Sequence, residues 1–139
     1  MRTLEEGVWV AARQIRAEDV ALAAAEGIRI LVNNRPDHEE PGQPQSCEIE
    51  AAAGAAGLAY RHIPVAGVFP PAAIGAMAEA LTKGPALIFC RSGTRSTWLW
   101  ALARASEGAD GEWLIERAAE AGYDLSPLRP HLVGRPASS

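Results

Sequence analysis

Four short apolar runs, at residues 8–10, 28–33, 58–65 and 85–90, are each followed by a segment of helical composition. Gly27 and Gly57 close two of those segments and Pro70-Pro71 opens another, the positions at which helix ends favour glycine and helix starts favour proline. Strands joined by helices cannot pair as hairpins, so they lie parallel and cross over. The expected fold is therefore α/β: a mostly parallel sheet of four to five strands with helices on both faces. Helices are expected over 18–26, 46–56 with Ser46 as cap, 70–83, 96–106 and 112–121 with Asp110 as cap. A short turn follows at Ser126-Pro127, and the tail of residues 134–139 is expected to fray.

With 139 residues the chain is expected to form a single domain over 1–139, large enough to enclose one core. Two cysteines, Cys47 and Cys90, are too few for a disulfide framework and suit a reducing, cytoplasmic setting. No apolar stretch approaches the ~18 residues of a membrane span, and the first residues lack the basic-then-apolar order of a leader. A net charge of −4 with scattered basic residues argues against nucleic acid or a membrane as partner. Neither a metal nor a cofactor is expected.

The chemistry concentrates where the last apolar run ends. Residues 89–96 read Phe-Cys-Arg-Ser-Gly-Thr-Arg-Ser, which places Cys90 at a strand end with a helix to follow. The loop amides of Arg91, Ser92, Gly93 and Thr94, with the positive end of the helix dipole, form an anion cup. Such a field favours a thiolate at its edge. Gly93 allows the tight turn, Arg95 offers a planar fork to an oxyanion, and Ser96 is placed to bond the sulfur or cap the helix. Nucleophile, cradle and clamp thus lie within seven residues. The plain alternative is a buried, inert cysteine between solvated arginines.

These residues carry two resemblances. Cys-Arg-Ser-Gly-Thr-Arg resembles the active loop of single-domain rhodaneses, in which the cysteine carries a persulfide. Residues 33–40 (Asn-Asn-Arg-Pro-Asp-His-Glu-Glu), 62–65 (His-Ile-Pro-Val) and 90–102 together are similar to the bacterial phosphatase-like domain named after beta-lactamase hydrolase-like proteins. That family is related in fold to dual-specificity and tyrosine phosphatases. The likeness spans about residues 8–128 and implies a cysteine-dependent enzyme. It leaves the reaction open, since members have been described both as phosphatases and as sulfurtransferases linked to persulfide-oxidising metalloenzymes.

Three departures from the tyrosine-phosphatase signature bear on that choice. Four residues rather than five separate Cys90 from Arg95, which narrows the cup; Phe89 precedes the nucleophile where phosphatases usually have histidine; and residues 66–71 hold no acid. Ester cleavage needs a proton for the leaving oxygen, and Asp37 and Glu39 are the candidate substitutes. Sulfur transfer needs none, because sulfite leaves readily. The sequence therefore leans to a sulfurtransferase that passes sulfane sulfur from a thiosulfate-like donor, through a Cys90 persulfide, to a thiol such as glutathione or to a persulfide-oxidising partner enzyme. The alternative is a phosphatase acting through a Cys90 thiophosphate, and a third reading is an inactive anion-binding module.

Arg35 offers a second anion contact, balanced against pairing with a neighbouring carboxylate, while Asp37 equally fits a turn cap. His62 in a strand reads as a structural histidine, and Cys47 as a small residue near a helix start. Trp98 and Trp100 point to opposite sides of one helix, one expected in the core and the other at the surface or a homo-oligomer contact.

Overall fold

The computed structural model describes residues 1–133; the tail of residues 134–139, expected to fray, lies outside them. Five strands and six helices follow one another: β1 (Arg2–Glu5), β2 (Val8–Val10), α1 (Ala17–Ala25), β3 (Ile30–Asn33), α2 (Ser46–Ala55), β4 (Ala59–His62), α3 (Pro71–Ala80), β5 (Ala86–Phe89), α4 (Thr94–Ser106), α5 (Gly111–Glu120) and α6 (Arg129–Leu132). They build one sheet in the order β1-β2-β5-β3-β4, parallel except for the antiparallel β1–β2 pair. β1 and α6 are the elements sequence reasoning missed, and for β1 the reason is visible. Only Leu4 of its four residues is buried, so the alternation that marks a strand is faint, and the hairpin turn at Gly7 (φ 85°) gives no hint of which side pairs.

β3 and β5 are buried along their whole length, as strands covered on both faces must be. Their residues divide by parity. Ile30, Val32, Ala86 and Ile88 face a core completed by Met77 of α3, Leu99 and Trp100 of α4 and Leu114 of α5. Leu31, Leu87 and Phe89 face the other core, with Val20 and Ala23 of α1 and Ile49 and Ala53 of α2. Trp100 is fully buried, and its indole N–H donates to Glu5, which also binds Arg104. Trp98 instead packs on Phe69, with centroids 6.1 Å apart, and donates to the Asp124 carbonyl at 3.2 Å. The two indoles part as their spacing requires, and both find partners within the chain.

The parallel strands run in one direction, so β2, β3, β4 and β5 end at a common edge. There the ladder continues one residue beyond the strands: Ala11 N–H donates to Ile88 O at 3.0 Å, and Asn34 N–H to Phe89 O at 2.8 Å. Crevices at this edge are where open α/β sheets place their ligands. Among the described residues no helix is long and apolar enough to cross a membrane.

Candidate active site

Cys90 follows β5, the central strand, and is 1% exposed. α4 begins at Thr94, two residues before the expected start, because Gly93 rather than Ser96 is the cap. The connecting loop is correspondingly tight. Gly93 adopts φ 95° and donates its N–H to Cys90 Sγ at 3.2 Å. The N–H groups of Thr94, Arg95 and Ser96 form the first turn of α4, where donors have no acceptor within the helix. Arg91, Ser92 and Thr94 are exposed at the rim, and the Ser92 and Thr94 hydroxyls meet at 3.2 Å.

Two residues that sequence reasoning did not single out hold this loop. Asn34, fully buried, donates to Ile63 O at 2.9 Å and accepts from Ser96 Oγ at 2.7 Å. It thereby ties the ends of β3 and β4 to the first turn of α4. This corrects the expected role of Ser96: its hydroxyl neither caps the helix nor bonds the sulfur, since Asn34 takes its proton. Tyr123, beyond α5, donates to the Ser92 carbonyl at 2.8 Å. Its phenol is held above its ordinary value first by burial and also by charge on Cys90, with Arg2 opposing, so it stays a donor. Asn34 stands within the quoted motif at residues 33–40, but no spacing rule reveals that an asparagine will meet a serine 62 residues away.

Arg95 lies over the cup and is held there by Glu39. Its two terminal nitrogens donate to both Glu39 oxygens at 2.7 and 2.9 Å, and one also donates to Val65 O at 2.9 Å. The Arg95 pKa is raised first by the Glu39 bond, against the cost of burial, and further by the charge of Cys90. Glu39 also accepts from Arg35 Nε at 2.8 Å. Arg35 itself is buried, and its remaining nitrogens bind Glu40 at 2.8 Å and Gln14 at 3.0 Å. Its fork is filled, so Arg35 supports Glu39 from behind, in place of the direct anion contact expected from sequence. Arg91, 3.8 Å from Glu40 and largely exposed, is free to turn toward a ligand.

Neither expected proton donor fits that role in this geometry. The Arg95 bond, reinforced by Arg35 against the cost of burial, lowers the Glu39 pKa to about 2. Glu39 is thus a fixed carboxylate. Asp37 accepts the N–H of Ser46 at 2.7 Å, anchoring the start of α2, where a carboxylate is favoured by the helix dipole. Ser46 is therefore the first helical residue rather than the cap, and its hydroxyl meets Tyr60 Oη at 2.6 Å. His62 donates Nε2–H to Arg35 O at 2.8 Å and is structural, as expected. Cys47 is exposed on α2.

A depressed carboxylate pKa stabilises the fold above the unfolded value, and that stability is lost as pH falls toward the folded value. For Glu39 the window runs from about pH 4.5 down to about 2. Its contribution is at most about 3 kcal/mol by linkage, less after solvent screening. Chemical denaturation across this window should show Glu39→Gln losing less stability with acid than the wild-type chain; parallel curves would remove the ion pair from the account.

A cysteine at the end of the central parallel strand, cupped by the next helix beneath an arginine, defines a tyrosine-phosphatase-like fold. Residues 1–107 match the family described as "Beta-lactamase hydrolase-like protein, phosphatase-like domain", and the chain belongs to that family. A beta-lactamase hydrolase-like protein of Agrobacterium fabrum is 40% identical over 128 residues, 88% of this chain and 29% of the relative. One of Xylella fastidiosa is 42% identical over 106 residues, 73% of this chain and 25% of the relative. The chain thus spans less than a third of the length of these curated relatives. A crystal structure from Neisseria meningitidis, provisionally described as a phosphatase, is 31% identical with a TM-score of 0.80, covering 94% of each chain.

Proposed function

We propose that the chain is a phosphoric-ester hydrolase of the tyrosine-phosphatase type, acting through a thiophosphate on Cys90. The observation that carries this reading is the cup itself, with Cys90 at the strand end, the Gly93 N–H on its sulfur and Arg95, in the first turn of α4, held beside it by Glu39 and Val65 O. Membership of a phosphatase-like family and likeness to the Neisseria structure support phosphoryl over sulfur chemistry.

Cys90 Sγ attacks phosphorus in line with the departing oxygen. The first-turn amides of α4 and the Arg95 fork bear the charge on the equatorial oxygens. To do so Arg95 turns part of its fork from Glu39 to the phosphoryl group, and Glu39, still bound to Arg35, sets the direction from which it approaches. Arg91 supplies a second cation at the rim. Water then attacks the thiophosphate, the S–P bond breaks, and the thiolate is restored.

Sulfur transfer remains the second reading, favoured by one specific observation: only four residues separate Cys90 from Arg95. In it Cys90 carries a persulfide, and a thiol such as glutathione or a persulfide-oxidising partner takes the sulfur. Parallel turnover assays separate the two. Sustained release of phosphate from an aryl phosphate, without sulfite release from thiosulfate in the presence of glutathione, is the expected result; the reverse pattern would replace the phosphatase reading with the sulfur one.

A further inference from the structure

Phosphoryl transfer leaves one atom unprovided for, the proton that an alkoxide leaving group needs. The acids nearest the cup by their contacts are Glu39, Glu40 and Asp37, on the loop after β3, and Asp124, beside Tyr123. Glu39 is held by Arg35, and by Arg95 through whichever part of its fork is not turned to the phosphoryl group, Glu40 by Arg35, Asp37 by the Ser46 N–H and Asp124 by the Ser126 N–H. The bonds to Arg95, to Arg35 and to Ser126 respectively are the first cause lowering the pKa values of Glu39, Glu40 and Asp124. Glu18 and Glu48 share a separate cleft with Gly42, Gln43 and Pro44.

Two further side-chain donors at the site are committed: His62 gives its Nε2–H to Arg35 O, and the Tyr123 hydroxyl gives its proton to Ser92 O beneath the loop. His38 accepts from the Gln45 amide through Nδ1 at 3.3 Å, beside the start of α2, and His131 lines a separate cleft with Gly67, Phe69 and Trp98 that includes no residue of the Cys90 loop. The loop after β4, which runs past Arg95 through Val65, continues Ala-Gly-Val-Phe-Pro-Pro and carries no proton donor.

We infer that this site takes phosphoryl donors whose leaving group departs as a stable anion, namely acyl phosphates, phosphoanhydrides and phosphates of acidic phenols, in preference to alkyl phosphates. The inference rests on the proposed phosphatase reading and specifies its substrate class. In the first step the Sγ–P bond forms while the bond from phosphorus to the leaving oxygen breaks, and that oxygen keeps the electron pair as carboxylate, phosphate or phenolate. No proton is exchanged. In the second step water adds to phosphorus, the electron pair of the S–P bond returns to Cys90, and the proton of water passes to solvent.

The test is kcat/KM for the whole chain on acetyl phosphate, 4-nitrophenyl phosphate, phenyl phosphate and ethyl phosphate. A positioned acid is worth about 10²–10⁴-fold, so ethyl phosphate is expected to trail 4-nitrophenyl phosphate by at least that factor beyond the phenyl compound. The Glu39→Gln variant is expected to slow all four by one common factor, because Glu39 acts through Arg95. Ethyl phosphate turned over within about tenfold of 4-nitrophenyl phosphate, or a Glu39→Gln loss concentrated on ethyl phosphate, would overturn the inference and leave the phosphatase reading standing. Failure to turn over any of the four would instead remove the phosphatase reading.

Discussion

Replacing Cys90 by serine should abolish phosphate release from aryl phosphates, by at least about 10³-fold, the order seen when a covalent nucleophile is removed. Serine is close to cysteine in volume, and its oxygen can still accept the Gly93 N–H that now meets Sγ at 3.2 Å. The fold should survive with a change of about 1 kcal/mol or less, as for other near-isosteric core exchanges. Steady-state assays and thermal denaturation on the same preparations check both parts. The combination is diagnostic. An inert anion-binding module would show no turnover to lose, and a cup that binds phosphate while a group elsewhere performs the chemistry would keep its rate in Cys90→Ser.

The second large effect belongs to Gly93→Ala. Gly93 has φ 95°, a conformation that costs an L-residue roughly 1–2 kcal/mol. There is no room for the added methyl group either. A Cβ at this position would stand 2.1 Å from Tyr123 Oη and 2.8 Å from the carbonyl oxygen of Ala11. The tyrosine can move, but the carbonyl belongs to backbone that continues the β2–β5 ladder and cannot. The loop must therefore shift, taking the Gly93 N–H off the sulfur. We expect a stability loss of about 2–4 kcal/mol from strain and overpacking together, and at least about a 10²-fold loss of kcat from misplacement of the reacting groups. Adding Tyr123→Phe removes the hydroxyl clash alone, so it should recover only part of the stability. Full recovery would mean that both the Ala11 carbonyl and the remaining ring, whose Cζ would also stand 2.8 Å from the methyl group, yield, and a Gly93→Ala chain of normal stability and rate would show that the loop has slack the geometry denies.

How far the sequence alone leads depends on the range of the interaction involved. The βα alternation fixes the parallel sheet, because periodicity and helix ends are local signals, and the whole of β5 with its cysteine could be placed from residues 85–96. β1 escaped because it buries one side chain, Leu4, and has no second face to announce it. Within the site, Cys90 and Arg95 were legible as residue types at a characteristic spacing. The partners that orient them were not. Ser96 meets Asn34 and Arg95 meets Glu39 across 62 and 56 residues, and both contacts exist only because β3 and β5 are sheet neighbours. For the same reason Arg35 and Asp37 looked available for anion binding and acid catalysis. A charged side chain read in sequence carries no record of the partner that will occupy it. The four-residue spacing from Cys90 to Arg95 is real, but its meaning depends on where α4 starts, and α4 starts at Thr94.

The proposed reaction turns on a bond between phosphorus and Cys90. Its most direct test is acid quenching of the chain during turnover of 4-nitrophenyl phosphate, followed by peptide mass mapping, since a good leaving group makes the second step the slower one and lets the intermediate accumulate. One phosphoryl group is expected on the peptide containing Cys90, formed in step with a burst of nitrophenolate and lost as phosphate is released. Steady phosphate release with that peptide unmodified at every quench time would contradict it.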